Sequence, residues 1–183
     1  VVISIIGVLS AVVLSALNSA RLKARNVERI SNLRQVQKAL EMYFNDNGVY
    51  PPKPGLGTYS SECPGTGDVV GWGPYSATSS ANSVIPGLIP NYIAKLPTDP
   101  TMTIAFDQGG GVFRDRSCYM YWSNGKDYAY FLHTILDPGF DYYSFPAFID
   151  PLRDGVNDSS GCTFTVSGNP WAWKVFSTGG RCM

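Results

Sequence analysis

The sequence predicts an α+β protein in which a long N-terminal α-helix packs on a small antiparallel β-sheet. Three observations lead there. Val1 to Leu17 form an uncharged aliphatic run; apolar residues then recur every three or four positions as far as Tyr43; and beyond Pro51-Pro52 the chain changes to alternating, aromatic-rich stretches punctuated by Gly, Pro and Asn. A chain of 183 residues holds one ordinary domain with an appendage. Residues 1–47 are therefore read as the helix, apolar over 1–17 and amphipathic over 18–47, and residues 48–183 as a globular antiparallel β domain with long loops.

The first part of the helix, VVISIIGVLSAVVLSAL, is interrupted only by serines, alanines and one glycine. Its 17 residues fall slightly short of the roughly 20 needed to span a bilayer. A signal peptide has a similar apolar core, and Ala16 to Ala20 resembles a cleavage site. Continuity argues against cleavage, because Val27, Ile30, Leu33, Val36, Leu40 and Tyr43 carry the helical period onward with Arg, Lys, Gln and Glu between them. Asn45 to Gly48 supply a C-cap, and Pro51-Pro52 forbids continuation. Such a helix is a rod of about 69 Å. A domain of the remaining size cannot bury its first half, which must lie in lipid or against copies of itself. Val1, Val2, Ile3, Ile5, Ile6, Val8, Leu9, Val12, Val13, Leu14 and Leu17 are the expected contact residues. Gly7 among them permits close helix approach or a local bend.

The net charge is zero but unevenly spread. Arg21, Lys23, Arg25, Arg29, Arg34 and Lys38 face the single acid Glu28, whereas from Asp46 onward acids outnumber bases. No strongly basic face arises outside the helix, so nucleic acid is not an expected partner. The cysteines Cys63, Cys118, Cys162 and Cys182 contain no CxxC pair, and His133 is the one histidine. An even number of scattered cysteines beside a membrane-compatible segment fits two disulfides in an oxidising compartment; four reduced buried thiols are the competing reading. Cys162 and Cys182 flank a predicted hairpin and are paired on that ground, leaving Cys63 with Cys118.

In the domain, Ser117 to Ser123 and Asp127 to Ile135 alternate around Asn124-Gly125, a favoured central pair for a tight hairpin. A second hairpin is expected from Cys162 to Ser167 and Trp171 to Ser177, with Trp171 and Trp173 on one face. Val84 to Ile93 is expected as a short helix or turn, and Leu136 to Asp158 as an ordered loop held by Phe140, Tyr142, Tyr143, Phe145 and Phe148. Catalysis is hard to build: GxSxG, HExxH, P-loop and dinucleotide fingerprints are absent, and His133 sits in an aromatic strand as a structural residue.

The stretch VVISIIGVLSAVVLSALNSARLKARN, with NGVYPP at Asn47 to Pro52 and NYIAKLPTDP at Asn91 to Pro100, resembles the type IV pilins and the major pseudopilins of type II secretion. The likeness continues along the helix from the first stretch to NGVYPP, and with NYIAKLPTDP it covers about a third of the chain. The resemblance implies a pilin fold, a helical homo-oligomer built on the apolar helix, and inner-membrane anchoring before assembly. It also implies a prepilin peptidase, an assembly ATPase and an inner-membrane platform as partners, and adhesion, motility or DNA uptake as the role of an extracellular filament. The family's processed, N-methylated start and its assembly glutamate have no counterpart here, the first acid being Glu28; they are expected upstream of Val1. The basic cluster after the apolar run would by the positive-inside rule place the domain in the cytoplasm, whereas cysteine usage and the family place it outside. Asp99 and Asp107 lie near the place where major pseudopilins hold calcium with loop oxygens, which makes them the candidate metal ligands; a solvated loop is the competing reading. No other cofactor and no catalytic residue is expected. The alternatives to a major pilin are a major pseudopilin and a membrane-tethered extracytoplasmic binding domain that never polymerises.

Overall fold

The computed structural model describes residues 2–52, 60–61, 76–77, 84–101, 117–133, 137, 140–149 and 172–182. The helix α1 runs unbroken through Val2–Asn47, 46 residues, and passes through Gly7 without interruption. It ends as its sequence demands. Gly48 takes φ +70° and donates its amide to the Phe44 carbonyl at 2.7 Å, while the Asn47 side chain bonds the Tyr43 carbonyl at 2.9 Å. A left-handed glycine just past the last turn satisfies carbonyls that the helix leaves free.

The sheet contains β1 Ser60–Ser61, β2 Ser76–Ala77, β3 Cys118–Ser123, β4 Tyr128–His133 and β5 Ala172–Phe176, in the order β2-β1-β3-β4-β5. Its body is the antiparallel trio β3, β4 and β5. Cys118 pairs with His133 and Ser123 with Tyr128, and β5 adds to the far side of β4, from Ala129 with Phe176 to His133 with Ala172. The predicted first hairpin is present with its turn one residue later than expected. Asn124 donates its amide to the Asp127 carbonyl at 3.1 Å, so Gly125 and Lys126 are central, and Gly125 takes φ +87°. The Asn124 carboxamide causes the offset by accepting the amides of Lys126 and Asp127 at 2.9 and 2.7 Å. The first strand of the predicted second hairpin, Cys162 to Ser167, lies outside the described residues, as does Trp171; the observed neighbour of Trp173's strand is β4.

The helix packs through its second half. Leu33, Val36, Ala39 and Leu40 are buried against Tyr119, Tyr121, Tyr128, Tyr130, Leu132, Trp173 and Val175 from one sheet face. Val84, Ile85 and Leu88 close this core from the turn region that follows. Cys118, Met120, Ala129 and Phe131 are buried on the opposite face. Phe140, Tyr142, Phe145 and Phe148 surround the Trp173 ring with centroids 4.9, 6.5, 5.6 and 6.5 Å away, mostly edge to face. Tyr143, expected among them, is exposed, because it sits on the outer side of the single 3₁₀ turn Tyr142–Ser144 that Asp141 caps.

The buried stripe of the helix also differs from its predicted course. Val27 is exposed, Ile30 is half-buried, and the positions that continue the Leu33-Val36-Leu40 face backward are Arg29 and Asn26. Stepping back by threes and fours from Leu33 lands on residues 29 and 26, which places Val27 on the outer face.

Candidate functional site

Two features of α1 stand out among the described residues, a bare apolar half and a buried charged clamp where that half meets the domain.

Every described residue from Ile3 to Arg21 is exposed. Ile3, Ile5, Ile6, Val8, Leu9, Val12, Val13, Leu14 and Leu17, nine of the predicted contact residues, range from 41% to 85% exposed. A Cβ on Gly7 would meet nothing within 4 Å. Val1 and the side chain of Val2 lie outside what is described. Burying one such side chain is worth about 1.5–3 kcal/mol, so the nine together represent on the order of 10 kcal/mol that the isolated chain leaves unrealised. By length and composition α1 is the one helix among the described residues able to cross a membrane.

The clamp begins one turn above. Arg29 is fully buried, and all five of its N–H groups are used. Nε donates to Asp99 Oδ2 at 2.6 Å and Nη2 to Asp99 Oδ1 at 3.2 Å, a bidentate pair. Nη2 also reaches Thr101 Oγ1 at 2.8 Å, and Nη1 reaches Asp137 Oδ2 at 2.6 Å and Asn26 Oδ1 at 3.0 Å. Arg25, whose side chain is 34% exposed, adds a 2.8 Å contact from Nη2 to the other oxygen of Asp137. The Arg29 guanidinium lies 5.6 Å from the Phe140 ring centroid. Two cations thus meet two carboxylates, and the helix is joined to segments 70 and 108 residues away. Burial pushes the Asp99 carboxyl up, but the hydrogen bonds and charge of Arg29, with the hydrogen bonds of Thr101, outweigh it and hold the group below its ordinary pKa.

This geometry bears on the expected calcium ligands. Both Asp99 oxygens face a guanidinium and the Thr101 amide and hydroxyl, the latter two at 2.8 and 2.6 Å from Oδ1. Asp107 lies outside the described residues. Among the described residues no grouping of three or more His, Cys, Asp and Glu side chains is arranged to hold a metal ion. Cys118 is disulfide-bonded, and no described cysteine is free. Cys63 and Cys162 fall outside the described residues, so the expected pairing is not visible.

A second polar cluster lies farther up the helix. Glu41 accepts the hydroxyls of Tyr50 and Tyr128, each at 3.0 Å. Burial first, and then the Glu41 carboxylate, raise the Tyr50 pKa to about 12 and push Tyr128 higher still. Tyr121, buried and bonded through its hydroxyl to the Pro51 carbonyl at 2.8 Å, is also raised, chiefly by burial. These groups fasten the chain after the helix to the sheet.

No protein-family model, curated protein or solved structure matches the chain.

Proposed function

We propose that the chain is the structural subunit, the major pilin, of a type IV pilus-like extracellular filament, polymerising through its apolar helix and anchored in the inner membrane before assembly. One observation carries this reading: a single unbroken helix is bare and aliphatic from Ile3 to Leu17, yet clamped to a folded domain from Asn26 onward. A cleavable signal has no reason to continue as the core helix of the domain it delivers. The Arg29 clamp matters mechanically, because force along a filament passes from helix to domain through this junction. The disulfide at Cys118 fits an exposed, oxidising setting. Prepilin peptidase, an assembly ATPase and a membrane platform are the corresponding partners, and adhesion, motility or DNA uptake the corresponding roles.

The test is a charge in the proposed filament core. Val8→Asp or Leu14→Asp places a carboxylate where it costs about 2.5–3.5 kcal/mol per copy. Both side chains are exposed in the isolated chain, so the domain keeps its fold while filaments disappear. Normal filaments from either variant would refute packing through this segment.

A further inference from the structure

We propose that Arg21 and Lys23, on opposite sides of the helix, each engage anionic phospholipid headgroups and together fix how deeply the helix sits in the membrane before assembly. The inference rests on the membrane-anchored stage of the reading above and adds a ligand class to it.

Six bases lie on the helix between residues 21 and 38, and the structure separates them by use. Arg29 is consumed by Asp99 and Asp137, Arg25 is paired with Asp137, and Arg34 lies over the Phe148 ring at 4.7 Å and donates to Gln37. Arg21, Lys23 and Lys38 are exposed, and none has a hydrogen-bond or ion-pair partner among the described residues; of the three, Arg21 and Lys23 lie beside the apolar run. Their height along the rod is the second observation. Arg21 is four residues and Lys23 six residues beyond Leu17, about 6 and 9 Å along the axis. A headgroup layer is roughly 5–7 Å deep on each side of the hydrocarbon, so with Leu17 at its edge Arg21 stands at phosphate depth, and Lys23, just beyond the layer, reaches it with its flexible side chain. The domain begins just above them, at the Arg25 and Arg29 clamp. Between the apolar segment and the domain, the chain therefore offers two cations within reach of the phosphates and without partners among the described residues.

The same division of labour lessens the orientation conflict of the bare sequence. Two of the four bases nearest the apolar run are neutralised inside the domain, so the charge that would draw this end to the cytoplasm is halved. The remaining two have a partner of opposite sign in the leaflet where they stand.

The test is electron spin resonance of the full chain reconstituted in bilayers, comparing motional restriction of spin-labelled phosphatidylglycerol and phosphatidylcholine. The expected selectivity for phosphatidylglycerol is about fivefold for each base at low salt, falling as salt rises. The R21Q/K23Q double variant loses it. K38Q retains it, because Lys38 stands about 31 Å beyond Leu17. Equal restriction of the two lipids, or selectivity unchanged in R21Q/K23Q, overturns the site. A double variant that keeps lipid selectivity but no longer forms filaments also overturns it, assigning the two bases to acids on a neighbouring copy. Absence of filaments from the wild-type chain, with lipid selectivity intact, would sink the pilin reading and leave this site standing.

Discussion

Removing the cation at the centre of the clamp should be the most damaging single change to the domain. Arg29→Ala leaves the fully buried Asp99 with no cation and Asp137 with the partly exposed Arg25 alone. Breaking a buried pair by deleting one partner costs about 3–5 kcal/mol, most of it the penalty of stranding the other charge. For a chain of this size each kcal/mol lowers Tm by about 2–4 °C, so the melting point should fall by roughly 6–20 °C. The sign of the pH dependence is fixed by Asp99. Its pKa is depressed in the folded wild type, so the stability it contributes is present above the unfolded value near 4 and is lost as pH falls through the folded value. In the variant the stranded carboxyl escapes its penalty by protonation, and the gap between variant and wild type should narrow on acidification. The assay is guanidinium unfolding of the full chain in detergent with the disulfides oxidised, followed by fluorescence of the buried Trp173. Pairing Arg29→Met with Asp99→Leu should recover part of the loss, since an apolar replacement strands no charge there. A cost below about 1 kcal/mol for Arg29→Ala, or a gap that widens at low pH, would refute the clamp.

Two further outcomes follow from the buried chemistry. Tyr50, whose pKa is raised to about 12, and Tyr121 and Tyr128, also raised, favour the protonated form in the fold. Their contribution to stability is therefore complete below the unfolded value near 10 and is lost as pH rises from there through the folded values; absorbance titration near 295 nm should show these rings ionising together with unfolding, after the exposed tyrosines. Reduction of the Cys118 disulfide should lower stability by about 2–4 kcal/mol, read as a shift of the unfolding midpoint with and without reductant.

The elements were more legible in the sequence than the site that joins them. The helix and its end announce themselves through period and punctuation, which are local signals. So does the β3–β4 hairpin, apart from the one-residue shift imposed by the Asn124 side chain. The clamp was not legible, because Asp99 and Asp137 lie 70 and 108 residues from Arg29, and nothing local tells a solvated acid from a buried one. One signal was present: Arg29 stands on the same helical face as Leu33, Val36 and Leu40, where an arginine needs buried acids. Assigning Val27 to that face concealed it, since an apolar residue looked like the natural continuation of an apolar stripe. Asp99 is a candidate calcium ligand only through the family resemblance, with a solvated loop as the competing reading, and nothing local in the sequence says that a guanidinium meets both its oxygens.

The central claim is tested most directly by electron microscopy of material sheared from the cell surface, with mass spectrometry of its subunit. The account predicts long filaments built from this chain. Membrane-bound monomer with no filament would contradict it, and would favour a tethered domain or a short pseudopilus instead.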